Sequence, residues 1–164
     1  MAVFEIIQHP DPRLSRPGEA VPEVNDEIRA IVDDMFETLY AQENCAALAA
    51  TQLDMPTPWR ITVIDFSEAK DQPLCLINPE VVSGDGETNT KEGCMSIGGV
   101  YEKVRRFETV EVHALDQEGR KQVYHEDGFM AKCMQHEIDH LNGILMLDRL
   151  SPLKRKILNR RVKR

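Results

Sequence analysis

The sequence predicts a small single α+β domain of antiparallel sheets, with an N-terminal helix, a central helix late in the chain and a basic C-terminal helix. Three observations carry this expectation. Strand-like runs cluster between residues 61 and 124 instead of alternating with helices, which argues against a doubly wound sheet. Helical patterns flank that cluster on both sides. A chain of 164 residues is one domain's worth of polypeptide, enough to bury a core without disulfides.

Taken in order, residues 26–42 place Ile28, Ile31, Val32, Met35, Phe36, Leu39 and Tyr40 on one helical stripe, with Asn25 as N-cap and Asp26 and Glu27 in the first turn. Strands are expected at Ile61–Phe66, Leu74–Ile77, Val81–Val82, Thr109–Leu115 and Lys121–Tyr124. Gly84, Gly86, Gly98, Gly99 and Gly119 read as turns between them. The segment Gly128–Leu141 has no proline or internal glycine and reads as a helix closed by Gly143. Ile144–Leu147 suits a short strand, and Pro152 opens a final helix ending near Arg160.

Composition narrows the class. Mean hydropathy is −0.40, and no apolar run is long enough to span a membrane. Met1–Ile6 is too short for a secretory core and is soon followed by His9, Pro10, Asp11 and Pro12, so a cytoplasmic location is expected. Cys45, Cys75, Cys94 and Cys133 then read as reduced thiols. The net charge of −8 is uneven: residues 151–164 hold seven of the 20 basic side chains and no acidic one, leaving 13 basic against 28 acidic residues before them. Such a tail suits either a local contact with a polyanion or a helix whose cations meet its own dipole. Sequence-specific DNA binding across the domain is not expected.

The chemistry concentrates in His136-Glu137-Ile138-Asp139-His140. Two histidines one helical turn apart aim at one point and can hold a metal, and the intervening glutamate can handle a proton on water beside it. A catalytic site of this kind needs a third protein ligand. Only 24 residues follow His140, and Asp148 is their sole carboxylate, so the search turns upstream. Cys94, in Glu92-Gly93-Cys94-Met95-Ser96, is the best candidate there, its other reading being a buried structural thiol.

A third segment, Cys45–Gln52 (CAALAATQ), completes an ordered triplet with EGCMS and HEIDH. The triplet resembles the peptide deformylases, whose motifs usually run GxGLAAxQ, EGCxS and HExDH. Segments at 9–14, 77–82, 104–119 and 150–155 resemble the family as well, so the likeness spans nearly the whole chain. It implies that Cys94, His136 and His140 bind one divalent metal, typically Fe²⁺, with Zn²⁺, Ni²⁺ or Co²⁺ able to replace it. It implies that Glu137 moves the proton, and that the Gln52 amide and the Met95 backbone N–H stabilise the oxyanion. Ala46, Ala47, Thr90, Glu92, Gly93, Phe129, Lys132 and Cys133 are the expected substrate pocket. Arg106 is the expected partner of Glu92.

The implied activity removes the formyl group from N-terminal formylmethionine of newly made proteins, releasing formate. The basic tail then suits ribosome contact. Departures from the pattern keep two other readings open: an amidase with an altered side chain or acyl group, and a weakly active relative that binds ribosomes or peptides. Cys45 and Ala47 replace both glycines of the first motif, and a methyl at Ala47 adds strain if the backbone there needs positive φ. Gly98 replaces the usual proline after Ile97. Lys132 and Thr90 stand where aliphatic residues are usual, so Lys132 either puts an ammonium against a methionine side chain or snorkels to the rim.

Overall fold

The computed structural model describes residues 3–162; of Gly99 and residues 158–162 only the backbone is described. Helix α1 (Asp26–Tyr40) begins where Asn25 Oδ1 accepts the Ile28 N–H at 3.0 Å, with Asp26 and Glu27 at its positive end. Its buried face is Ile28, Val32, Met35 and Leu39. The helix stops two residues before the sequence suggests, because the Gln42 N–H closes a tighter last turn onto the Leu39 carbonyl.

The strands are β1 (Ala47–Ala49), β2 (Ile61–Ile64), β3 (Leu74–Asp85), β4 (Thr88–Cys94), β5 (Ile97–Arg106), β6 (Thr109–Leu115) and β7 (Lys121–Asp127). Five form an antiparallel sheet in the order β1-β2-β3-β6-β7, and β4–β5 is a separate hairpin. This is the expected α+β architecture, but β3 and β7 run longer than the sequence suggests, β2 ends at Ile64 rather than Phe66, and the sequence does not suggest β1, β4 or β5. The sequence suggested a break after Ile77. Instead Asn78 takes a left-handed conformation (φ 51°) and exchanges two side-chain hydrogen bonds with the Val21 backbone, at 2.8 and 2.9 Å. The irregularity is absorbed as a bulge, and β3 continues to Asp85. Gly84 therefore lies inside β3, and Gly98 and Gly99 inside β5, rather than in turns.

Helix α2 (Gly128–Leu141) follows β7 directly and is buried from Cys133 through Leu141. The alternation along β2 divides the core between its two faces. Ile61 and Val63 pack with Val32, Met35 and Leu39 of α1, whereas Ile64 packs with Leu76, Val110, Val112 and Ala131, Met134 and Ile138 of α2. Both faces of the sheet are thus covered, which is why every residue of β2 is buried. At roughly 1.5–3 kcal/mol per buried aliphatic side chain, this packing holds α2 in place against the unfavourable burial of its polar residues.

The C-terminus of α2 is tied down by several segments. The Ile144 N–H bonds to the Asp139 carbonyl and the Gly143 N–H to the His140 carbonyl, a Schellman closure with Gly143 at φ 76°. The Leu141 carbonyl accepts from the Gly18 N–H and from Arg60 Nη1, and the Thr51 hydroxyl donates to the His140 carbonyl. A Cβ on Gly143 would lie 2.5 Å from the Ser15 carbonyl oxygen.

Ile144–Leu147 does not form the short strand expected. Asp148 Oδ2 accepts the Leu145 N–H at 2.9 Å and closes a 3₁₀ turn over Met146–Arg149. Met146 and Leu147 then bury against Ile97, Val100 and Val104 of the hairpin. Helix α3 (Pro152–Val162) opens at proline as predicted, and Lys154 pairs with Glu102 of β5 at 2.6 Å. Lys163 and Arg164 of the basic segment lie outside the described residues.

Candidate metal and catalytic site

Three elements bring the HEIDH residues and EGCMS together. Helical spacing puts His136 and His140 on one face of α2, with Nε2 atoms 3.2 Å apart. Cys94 comes from the end of β4, its Sγ 3.3 Å from His140 Nε2. Cys94, His136 and His140 are the only such group among the described residues in which three potential ligand atoms all lie within 4.8 Å of one another.

The histidines are prepared differently. His136 Nδ1 lies 2.9 Å from Glu92 Oε1, a contact that orients the ring so that Nε2 faces Cys94 and His140. Burial, with the positive charges of His136 and Arg106 nearby, pushes the His140 pKa well below its usual value, and its Nδ1 has no protein partner. Glu92 is itself held by Arg106 through two 2.9 Å hydrogen bonds. Burial alone would raise the Glu92 carboxyl, but the hydrogen bonds from Arg106 and His136 outweigh it and hold it at about 2. Arg106 also reaches Asp139, which Arg149 grips from outside at 2.6 and 3.0 Å. The result is a buried relay running His136, Glu92, Arg106, Asp139, Arg149.

Glu137 is buried beside the histidines, with Oε1 3.9 Å from His136 Nε2 and no protein partner for Oε2. Burial pushes its carboxyl up to about 7. Gln52, 1% exposed, closes the other side. Its Oε1 accepts the Ala49 N–H, which turns Nε2 toward Cys94 Sγ at 3.5 Å and Ser96 Oγ at 3.1 Å. The loop bearing Met95 and Ser96 is pinned by the N-terminal segment: Gln8 Nε2 donates to the Met95 carbonyl and the His9 N–H to the Ser96 carbonyl.

A cleft of about 220 Å³ opens onto these groups. Its lining includes the expected Ala46, Ala47, Glu92, Gly93, Phe129, Lys132 and Cys133, and adds Asn44, Lys91 and Tyr101. Thr90 is not in the lining but receives a hydrogen bond from Lys132 Nζ at 3.2 Å. Lys132 therefore reaches the rim, and its Nζ also lies 3.4 Å from the Lys91 carbonyl and 5.1 Å from the Phe129 ring centroid. Ala47 sits in regular strand, not at positive φ, so the methyl there brings no backbone strain. Gly93 is needed for close approach: a Cβ would lie 2.4 Å from the Tyr101 ring. Burial pushes the Cys133 thiol well up, so it lines the cleft as a neutral group. A larger cleft of about 870 Å³, on the other side of α2, shares only Arg106 and Asp139 with the relay's buried part.

Sequence reasoning missed Gln8, Ser96, Asp139, Arg149, Lys91 and Tyr101. Ser96 and Asp139 stood inside the quoted motifs and could have been raised by asking what a buried hydroxyl and carboxylate pair with. Lys91 directly precedes the EGCMS motif but, as an exposed strand lysine, carried no signal of its own, and Gln8, Tyr101 and Arg149 lie outside the motifs.

Two nitrogens and a cysteine sulfur facing one point, with a carboxylate alongside and a cleft for the substrate, define a mononuclear metal-dependent hydrolase. Comparisons narrow the class. The polypeptide deformylase family matches residues 3–156. Peptide deformylase 1 of Coxiella burnetii is 55% identical over 161 residues, covering 98% of this chain and 95% of the relative. The peptide deformylase of Pseudoalteromonas translucida is 45% identical over 164 residues, covering 100% and 96%. The crystal structure of a Legionella pneumophila peptide deformylase superposes with a TM-score of 0.91 at 39% identity, covering 99% and 94%. That of the Ehrlichia chaffeensis enzyme in complex with actinonin gives 0.90 at 38%, covering 99% and 97%. The chain belongs to the polypeptide deformylase family, and it removes an N-formyl group by metal-dependent hydrolysis.

Proposed function

We propose that this protein removes the formyl group from N-terminal formylmethionine of newly made proteins in the cytoplasm, releasing formate and a free α-amine. The observation that carries the reading is the convergence of Cys94, His136 and His140 on one point, at a cleft that Glu137 and Gln52 also line. Retention of all five favours catalysis over a relative that only binds ribosomes or peptides. Cys94 Sγ and the two Nε2 atoms would hold one divalent ion, and this mixed soft and borderline donor set suits Fe²⁺, with Zn²⁺, Ni²⁺ or Co²⁺ as substitutes. When bound, the ion supplies Lewis acidity toward water and the formyl carbonyl.

The chain's own groups do the rest. Glu137 takes the proton from the attacking water at Oε2 and delivers it to the departing amine nitrogen. Gln52 Nε2 and the Met95 backbone N–H donate to the oxygen on which charge develops. Glu92 holds the His136 ring in its ligating orientation, and Arg106 holds Glu92. The cleft beside Ala46, Ala47, Gly93, Phe129 and Cys133 receives the first side chain. Residues 1–164 act as one catalytic domain, with 151–164 a basic segment suited to ribosome contact. Among the described residues no helix is long and apolar enough to cross a membrane.

The test is metal content together with formate release from formyl-Met-Ala-Ser. One metal per chain and release that disappears on chelation support the reading. Undiminished metal affinity in folded Cys94→Ala would remove Cys94 from the ligand set, and no formate from any formyl peptide would overturn the assignment.

A further inference from the structure

Lys132 stands at the mouth of the cleft, and its ammonium has no carboxylate within ion-pairing distance among the described residues. In a chain with 28 acidic and 20 basic residues, cations elsewhere find such partners readily, as Lys154 does with Glu102 and Arg155 with Asp148. Glu92, a carboxylate lining the same cleft, is engaged by Arg106 and His136. Lys132 Nζ is instead steadied by neutral groups alone: the Thr90 hydroxyl, the Lys91 carbonyl and the Phe129 ring. Phe129 is braced edge-on by Phe66, with ring centroids 4.8 Å apart. An ammonium oriented by neutral acceptors keeps its full charge for a ligand, and its side-chain entropy is already partly spent.

Resting on the deformylase reading, we infer that Lys132 is a specificity determinant that favours an acidic side chain at the second or third residue of the formyl peptide. The placement follows from where Nζ ends. It lies at the rim, bonded to exposed groups of β4, rather than beside the groups that act on the formyl carbon. A first side chain entering the cleft passes the lysine stem, and the residues after it meet the ammonium. The contact is a partly exposed charge pair, so it should be sensitive to salt.

The experiment compares kcat/KM for formyl-Met-Xaa-Ser amides with Xaa as Glu, Gln or Lys, using metal-loaded enzyme. Formyl-Glu-Ala-Ser amide and the free acid of formyl-Met-Gln-Ser serve as further arms. The Glu peptide should exceed the Gln peptide by about tenfold at low salt, a difference of about 1.4 kcal/mol. The ratio should approach one near about 0.5 M salt, where the screening length falls to a few ångströms. Lys132→Gln should lower the ratio, and Lys132→Glu should reverse the order of the Glu and Lys peptides, which a merely structural defect cannot do. A wild-type ratio within twofold, or one unmoved by both substitutions, overturns the inference. A preference confined to formyl-Glu or to the free C-terminal carboxylate overturns the placement. Absence of formate from every peptide overturns the deformylase reading and this inference with it; release without discrimination overturns the inference alone.

Discussion

Replacing Arg106 with methionine should separate the relay's contribution to stability from its contribution to the metal site. The Arg106 side chain is 3% exposed and serves two carboxylates, Glu92 at 4% and Asp139 at 9%. Methionine fills much of the volume but leaves Glu92 with His136 as its remaining partner, while Asp139 keeps Arg149. Removing one partner of a buried ion pair costs about 3–5 kcal/mol, because the remaining charge stays desolvated. For a chain of this size that corresponds to a fall in Tm of roughly 6–20 °C. The matched change Arg149→Met should cost no more than about 1 kcal/mol, since that side chain is 45% exposed and its pair is screened. Loosening Glu92 should also release the His136 ring and weaken metal affinity by about 10–100-fold. Urea unfolding of the metal-loaded proteins reads the first effect, and competition with a chelator reads the second. An Arg106→Met protein within about 1 kcal/mol of wild type, with unchanged metal affinity, would refute the reasoning. The double change with Glu92→Gln should recover part of the loss, because the stranded charge is then gone.

Glu137→Gln should keep its metal and lose at least about two orders of magnitude in kcat, measured as formate release; full activity would remove Glu137 as the proton carrier. Gln52→Leu should lower kcat about 10²–10³-fold, whereas a raised KM at unchanged kcat would point to ground-state binding. Deleting Lys156–Arg164 should leave cleavage of a short formyl peptide nearly unchanged and weaken ribosome co-sedimentation in a salt-dependent way; unaffected co-sedimentation would leave the cations to the helix dipole alone. Asp65 is buried, but hydrogen bonds from Ser67, Tyr40 and Gln72 outweigh that burial and lower its pKa from 3.8. Its contribution is therefore complete above that value and is lost as pH falls through the depressed one. The Tm difference between wild type and Asp65→Asn should accordingly shrink below about pH 4, and a difference that grows on acidification would contradict the assignment.

The parts of the fold legible in the sequence are those with a period. The stripe Ile28–Val32–Met35–Leu39 and the alternation Val110–Val112–Ala114 mark α1 and β6, because burial on one face leaves a repeat. β4 escaped detection: Thr88–Cys94 is mostly exposed, and its apolar partners come from β5 and from the distant Met146–Arg149 turn. The bulge at Asn78 hid the continuity of β3, since its two hydrogen bonds to Val21 lie 57 residues away. The motifs revealed residues that converge on the cleft, and the resemblance supplied Glu92 with Arg106 behind them, whereas the outer support from Asp139 and Arg149 did not show. Arg149 reaches Asp139 only because a 3₁₀ turn replaces the short strand expected there. The direction of Lys132 could not be read from helical spacing alone, because it depends on acceptors supplied by β4.

The clip made by the N-terminal segment has a consequence for the order in which the protein assembles during synthesis. Ile7 donates to the Gln52 carbonyl, and Gln8 and His9 secure the Met95–Ser96 turn, 87 residues after Gln8 in the case of Met95. At about 5–20 residues per second, the first-made strip waits roughly 4–17 s for that turn to be translated. His136, His140 and Arg149 come later still, so the cleft is completed by residues made long after the strip that fastens its Gln52 and Met95 sides. Catalytic competence should then emerge abruptly, once the residues through His140 and Arg149 have left the exit tunnel, rather than accumulating with chain length.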